Sequence, residues 1–563
     1  MSTSADTDDR ERPKRRPRGR PKGRQVEAAA LAEVEAVLGN RPRRRDLLIE
    51  HLHALQDRFG HLSAPHVRAL AETMRLSEAE VFEVASFYHH FDLVKEGEAA
   101  PAPLTLRVCD SLSCMLAGAD ELARRLEGFI DPARMRLVRA PCMGRCDKAP
   151  AAMLGRNAIA PATPDAVAAA ITTNAVAPEI PPFVDLDAYR AGGGYLVLDS
   201  CRAGARTPEA VIAKLSEAGL RGLGGAGFPA GRKWQIVAGY PAPRYVTVNA
   251  DEGEPGTFKD RHYLETDPHR VLEGALVAAW AIAASRVYIY LRDEYPAIRE
   301  ILTGEIARLD EAGITADCPI ELRRGAGAYV CGEESAMIES IEGKRGLPRN
   351  RPPYIAEAGL FGRPTLNHNE ETLYWVRDIV DHGPAWFAGL GRDGHKGLRS
   401  YSVSGRVKEP GVKQAPAGIS LAALVEEHCG GMAEGHRLMA FLPGGASGGI
   451  FPASMADLPL DFGSFEPHGG FVGSHAVIVL SDRDDLRAVA RNLVAFFASE
   501  SCGQCTPCRV GTAKLAALIA GETWDAGLVA ELSAVMRDAS ICGLGQAAPN
   551  PVLSVLKILG DDR

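Results

Sequence analysis

The chain predicts a multidomain α/β protein with a helical bundle at each end, and three observations carry that reading. Apolar residues recur at helical spacing near both termini, as Leu31, Val34 and Leu38 and again as Leu486, Val489 and Leu493. Between them lies a long glycine-rich region where strand-like runs alternate with helical patterns. Twelve cysteines are present, and eight of them fall into two quartets. At 563 residues and 46% hydrophobic content, the chain has material for roughly three to five cores.

Residues 1–25 form a basic tail that the composition marks as disordered. Residues 10–24 hold nine Lys/Arg against Glu11, so the remainder of a chain of net charge −8 carries −16. Pro17-Arg-Gly-Arg-Pro21 resembles the core of an AT-hook. An acidic body repels a duplex, however, so nucleic acid is disfavoured and contact with an acidic partner subunit is the preferred reading. Residues 26–100 read as a helical bundle, with Ser77 and Glu80 forming a capping box at one helix start. No apolar stretch resembles a membrane span or an export signal, which places the chain in the cytoplasm. In that reducing compartment cysteines serve metals or chemistry in preference to disulfides.

Residues 101–176 form a compact βα unit carrying Cys109, Cys114, Cys142 and Cys146. Each pair sits at the end of a strand-like run, Leu104–Cys109 and then 135–142, and opens into a loop with free backbone N–H groups. Gaps of four and three residues suit a [2Fe–2S] cluster better than zinc, whose usual gaps are shorter and more uniform. A linker, 175–182, leads to a glycine-rich α/β domain over 183–395, and then to a small β-rich module over 396–482. The last unit, 483–563, is helical and carries Cys502, Cys505 and Cys508, with Cys542 thirty-four residues on. Three thiolates at two-residue gaps plus one distant cysteine suit a [4Fe–4S] cluster. Zinc is the alternative, but no second cysteine or histidine accompanies Cys542. Cys201, Cys318, Cys331 and Cys429 are left over, and read as small buried residues.

Within 183–395, Gly222, Gly224 and Gly227 spell G-x-G-x-x-G, but a helical pattern precedes them and the strand follows, the reverse of a dinucleotide fingerprint. Glycines there admit a close approach to a phosphate or flavin ring, with Lys233 as counter-charge and Phe228 able to stack. Two acidic glycine loops, 249–256 and 325–335, hold Asp251, Glu252, Glu254, Glu333 and Glu334. Carboxylates beside a phosphate are unfavourable, so these are expected to face ribose hydroxyls, a ring edge or the nicotinamide amide.

With these motifs in order, the chain resembles the NADH-oxidising flavoprotein of respiratory complex I, preceded by a fused thioredoxin-like [2Fe–2S] partner. Residues 25–563 are most similar to the diaphorase (beta) subunit of NAD-dependent molybdenum or tungsten formate dehydrogenases. The resemblance implies a thioredoxin-like domain, a Rossmann-like FMN/NADH domain, a ubiquitin-like β-grasp module and a C-terminal [4Fe–4S] bundle. It places FMN on Gly222, Gly224, Lys233, Asn249, Asp251, Tyr329, Gly332 and Glu333, with Asn369 and Thr372 near its phosphate. Glu254, Glu334 and Phe228 would meet the nicotinamide nucleotide. His368 stands where the family usually has asparagine, and Arg351 and Tyr354 where Lys and Phe are more familiar. The implied partner is a catalytic alpha subunit holding molybdenum or tungsten, supplying electrons that reduce NAD+. An NAD-linked hydrogenase or a complex I-type enzyme is the nearest alternative assembly, and a redox-sensing DNA-binding protein the distant one.

Overall fold

The structure is a computed structural model and describes residues 24–561 apart from Phe129. The basic tail up to residue 23, with its AT-hook-like stretch, lies outside the described residues. Four helices open the fold: Ala28–Leu38, Leu48–Phe59, Ala64–Met74 and Glu78–Phe87. Their apolar faces meet, burying Val34, Leu52, Leu55, Leu70 and Val84. Ser77 and Glu80 close a reciprocal capping box, satisfying donors that the first turn leaves without partners.

A four-stranded sheet follows, ordered Met135–Ala140, Leu104–Cys109, Ala152–Leu154, Asn157–Ile159. The first pair is parallel and the others antiparallel. The two long strands end side by side, so the loops holding the four cysteines emerge at one edge. The next sheet is wholly parallel, ordered Thr365–Asn369, Arg244–Ala250, Ala284–Leu291, Ile320–Arg324. Chain order runs outward from Arg244–Ala250 in one direction, and the last strand returns to its other side. That reversal makes a switch point between Arg244–Ala250 and Thr365–Asn369, where the loops beyond the strands part and leave a crevice. Asn249 and Asn369 are register partners at its mouth.

A third sheet mixes directions: Gly411–Pro416, Leu398–Gly405, Ala476–Ser481, Leu438–Leu442, Phe451–Pro452, with the helix Leu421–His428 packed into the same core. The chain ends in the helices Leu486–Ser499, Thr506–Leu518, Ala526–Ala539, Gly543–Ala547 and Asn550–Asp561. Cys201, Cys318, Cys331 and Cys429 are all buried. No described helix is long and apolar enough to cross a membrane.

Candidate flavin cavity and two cysteine centres

The crevice at the switch point opens into a cavity of about 280 Å³. Its floor is the end of strand Arg244–Ala250, where Asn249 Nδ2 donates to Gly332 O at 2.8 Å and so ties the two acidic loops together. Gly224 forms one wall. A Cβ built there would sit 2.8 Å from Asn369 Cβ, so only glycine lets the chain pass this close. Asp251 lines the cavity with a buried Oδ2 that has no hydrogen-bond partner. Burial pushes its carboxyl well above the usual range. Beside it, Lys259 Nζ bonds Asp260 at 2.8 Å and Asn369 Oδ1 at 3.2 Å, and pairs with Glu371 at 3.1 Å. Burial opposes its charge, but Asp260 and Glu371 outweigh burial and hold the ammonium above its usual range.

Glu254 lines the cavity from the far side, accepting from Ser447 N at 2.7 Å and Tyr329 Oη at 3.1 Å. Tyr329 N in turn donates to Glu500 Oε2 at 3.0 Å, two residues before Cys502. Cys542 and Leu544 also line the cavity, so the C-terminal cysteine segment forms part of its wall.

Of the residues singled out in sequence, Gly224, Asn249, Asp251, Glu252, Glu254, Tyr329, Gly332, Glu333 and Asn369 line this cavity. Gly222, Phe228, Lys233, Glu334 and Thr372 stand behind or beside it. Thr372 Oγ1 accepts from Leu223 N at 2.9 Å and braces the glycine loop, whose Gly222 N donates to Phe228 O at 2.8 Å. Phe228 itself is 42% exposed. Lys233 and Arg351 both pair with Glu334, at 3.6 and 3.0 Å, forming a charged group outside the wall. Glu333 caps the helix Glu334–Ile341, accepting from Ser335 N at 3.0 Å and Ala336 N at 2.9 Å, while its other oxygen meets Arg351.

One expectation needs correction. Glu252 does not offer its carboxylate to a ligand: it accepts from Asp260 N, Arg261 N and Tyr295 Oη at 2.8, 3.1 and 2.9 Å. Free N–H groups at the start of the helix Lys259–Thr266 attract the carboxylate inward. His368, which departs from the family pattern, accepts at Nε2 from Trp234 Nε1 at 2.8 Å. Lys259, Asp260, Ser447 and Ser474 also line the wall without having been singled out. The only sequence signal for the first two was their place just after the first acidic loop.

The cysteines also gather as two centres. Cys142 and Cys146 Sγ are 3.3 Å apart, and Gly144 N donates to Cys142 Sγ at 3.4 Å. Contact with Cys114 and Cys142 pushes the Cys109 thiol well up, while hydrogen bonds from Cys109 and Cys146 hold Cys142 well down. In the C-terminal set, burial pushes Cys508 up to about 11 and Cys542 up to about 12. A single zinc ion with Zn–S near 2.3 Å would draw its sulfurs to about 3.8 Å of one another. Among the described residues no three cysteine sulfurs lie within 4.8 Å.

An open glycine wall, an orphaned carboxyl oxygen and an adjoining thiol set suit a flavin with a nearby electron acceptor, which defines a flavin- and iron–sulfur-dependent oxidoreductase. The family comparisons agree region by region: residues 34–175 match the thioredoxin-like [2Fe-2S] ferredoxin family and 215–378 the Nuo51 FMN-binding domain. Residues 400–451 match the SLBB domain, and 488–562 the NADH-ubiquinone oxidoreductase-F iron-sulfur binding region. The second F-subunit of the NADH-quinone oxidoreductases of Rhizobium meliloti (strain 1021) is 42% identical over 387 residues, covering 66% of this chain and 92% of that one. The HndC subunit of the NADP-reducing hydrogenase of Solidesulfovibrio fructosivorans is 37% identical over 398 residues, covering 68% and 81%. A crystal structure of an NAD+-reducing [NiFe]-hydrogenase in the H2-reduced state superposes with a TM-score of 0.80 at 33% identity, covering 92% of this chain and 91% of that one. The chain belongs to the family of NADH-quinone oxidoreductase F-subunits, as an electron-transfer diaphorase component that uses NAD(H), FMN, a [2Fe–2S] and a [4Fe–4S] cluster.

Proposed function

We propose that this chain is the diaphorase subunit of a cytoplasmic NAD-dependent formate dehydrogenase, taking electrons from a partner subunit that holds molybdenum or tungsten and reducing NAD+. When bound, FMN exchanges hydride with the nicotinamide and single electrons with iron–sulfur centres. The chain's own residues then have to hold and orient. Asn249, Asp251, Gly224, Tyr329, Gly332, Glu333 and Asn369 would border the flavin, and Asp251 Oδ2 would gain the hydrogen-bond partner it lacks. Thr372 and Gly222 keep the glycine loop in place. Glu254, fixed by Ser447 and Tyr329, would meet the nicotinamide nucleotide, with Phe228, Glu334 and Lys233 at the entrance. Cys109, Cys114, Cys142 and Cys146 would ligate the [2Fe–2S] cluster, and Cys502, Cys505, Cys508 and Cys542 the [4Fe–4S] cluster.

The observation that supports the diaphorase reading is Cys542 in the wall of the candidate flavin cavity, which would set the C-terminal cysteines beside a bound flavin. The formate assignment rests on the near end-to-end sequence resemblance over 25–563. A second reading, a hydrogenase diaphorase, has the 92% coverage by the NAD+-reducing [NiFe]-hydrogenase structure in its favour. Purifying the chain with its native partner and measuring NAD+ reduction decides between them. Formate-driven reduction is expected, whereas reduction driven by H2 and not by formate would establish the second reading. A chain that lacks flavin and iron and is inert with NADH and viologens would sink both.

A further inference from the structure

Away from the flavin cavity, two buried histidine nitrogens have no hydrogen-bond partner, beside a carboxylate that pairs with Arg324 and His90. His53 on the helix Leu48–Phe59, His90 beyond the helix Glu78–Phe87, and Asp293 beyond the strand Ala284–Leu291 each place a ligand-type atom within 4.8 Å of the other two. No other three His, Cys, Asp or Glu residues among those described gather so tightly. His53 Nε2 lies 2.8 Å from Gly325 O, and because a carbonyl only accepts, that nitrogen carries the proton. Its Nδ1 is then a bare lone pair, buried and without a partner. His90 Nδ1 lies 2.6 Å from Asp293 Oδ2, and its Nε2 is likewise buried and unpartnered. The ring centroids are 4.8 Å apart.

Imidazoles held in this way, with one N–H tethered to a carbonyl or carboxylate and the other nitrogen bare, have the outer-shell arrangement that aims histidines at a metal. Burial, and after it Arg324, holds the His53 ring well below its ordinary pKa, so it is neutral as a ligand must be. His90 and Asp293 also line a second cavity of about 270 Å³, enough to supply solvent ligands.

We propose that His53 Nδ1 and His90 Nε2 bind one zinc-like divalent ion, aimed by the Gly325 carbonyl and the Asp293 carboxylate and completed by water. Imidazole donors favour this class of metal. Two nitrogens on one tetrahedral ion sit about 3.3 Å apart, the separation the two rings would adopt around it. The ion would join the helix Leu48–Phe59 to the segment after the helix Glu78–Phe87, at the point where both already touch the loop that leads into the flavin cavity. His90 N already donates to Ala326 O at 3.1 Å, and His89 N to Gly327 O at 3.3 Å, just ahead of Tyr329.

The test loads the full chain, with its flavin and iron in place, with micromolar zinc and measures metal content after dialysis. One equivalent of zinc is expected, with iron and flavin unchanged. His53→Gln and His90→Gln should each weaken uptake by about 100-fold or more, and Asp293→Asn by about 10- to 100-fold. Anomalous diffraction at the zinc edge of unsubstituted crystals locates the ion independently of any variant. No uptake, uptake equal in both histidine variants and the unsubstituted chain, or a peak elsewhere in the molecule would overturn the proposal.

Discussion

The two cysteine centres occupy opposite kinds of ground. Cys109, Cys114, Cys142 and Cys146 are at most 5% exposed and walled in by other parts of the chain. Fully buried Arg292 donates to Cys142 O at 2.6 Å and to Glu252 O, while Arg145–Glu265 and Arg261–Asp147 pairs at 2.7 and 2.8 Å clamp the same loop. In the C-terminal set, Cys502, Cys505 and Cys542 are half-buried, and Cys542 also faces the flavin cavity. One centre is thus sealed behind the flavin loop, and the other spans from cavity to surface. The difference teaches that the second set adjoins both the cavity and the surface, whereas the first adjoins neither.

The sharpest way to break this contrast is to remove one ligand from each centre. Cys542→Ala is expected to abolish the [4Fe–4S] EPR signal and drop NADH-driven delivery to the partner to background, with flavin retained. Cys142→Ala should remove the [2Fe–2S] signal and leave delivery within the same order of magnitude. Equal loss in both variants would erase the distinction.

The seal itself can be probed at Arg292. Arg292→Leu strands the Cys142 and Glu252 carbonyls and leaves Glu294, paired at 3.1 Å, without its cation. A cost of about 3–5 kcal/mol is expected, read by chemical unfolding of the loaded chain. A smaller step tests the cavity wall common to both accounts. Gly224→Ala forces a Cβ to 2.8 Å from Asn369, and overpacking of about 1–3 kcal/mol corresponds to about 5- to 150-fold weaker FMN binding in a fluorescence titration.

The smallest effect concerns pH. Burial, then the nearby Asp260, pushes the Glu252 carboxyl up to about 7, against about 4.3 for a free glutamate. The folded chain therefore keeps a proton that the unfolded chain releases. This group's share of stability is whole below about pH 4 and is lost as the pH rises through about 7. Thermal midpoints measured across that window should decline less steeply in Glu252→Gln than in the unsubstituted chain; parallel curves would contradict the assignment.

The cysteine centres were legible in the sequence because their chemistry is local: C-x2-C-x2-C sets three thiolates by spacing alone. Asn249 and Asn369 were legible through the resemblance, though their meeting on one ladder rung needed the sheet order. What escaped was decided by distant partners. Ser447 and Ser474 reach the cavity from the third sheet's region, some two hundred residues beyond the loop they face. Glu252 looked available until a helix start claimed it. Lys233 and Glu334 were read singly, yet they satisfy each other.

The hydrogen bond from Tyr329 N to Glu500 has a practical consequence. Trimming away the C-terminal helices would strip that amide of its acceptor and remove Cys542 and Leu544 from the cavity lining at a stroke. A minimal flavin module therefore cannot be cut from this chain at residue 483 without opening its own cofactor pocket to solvent.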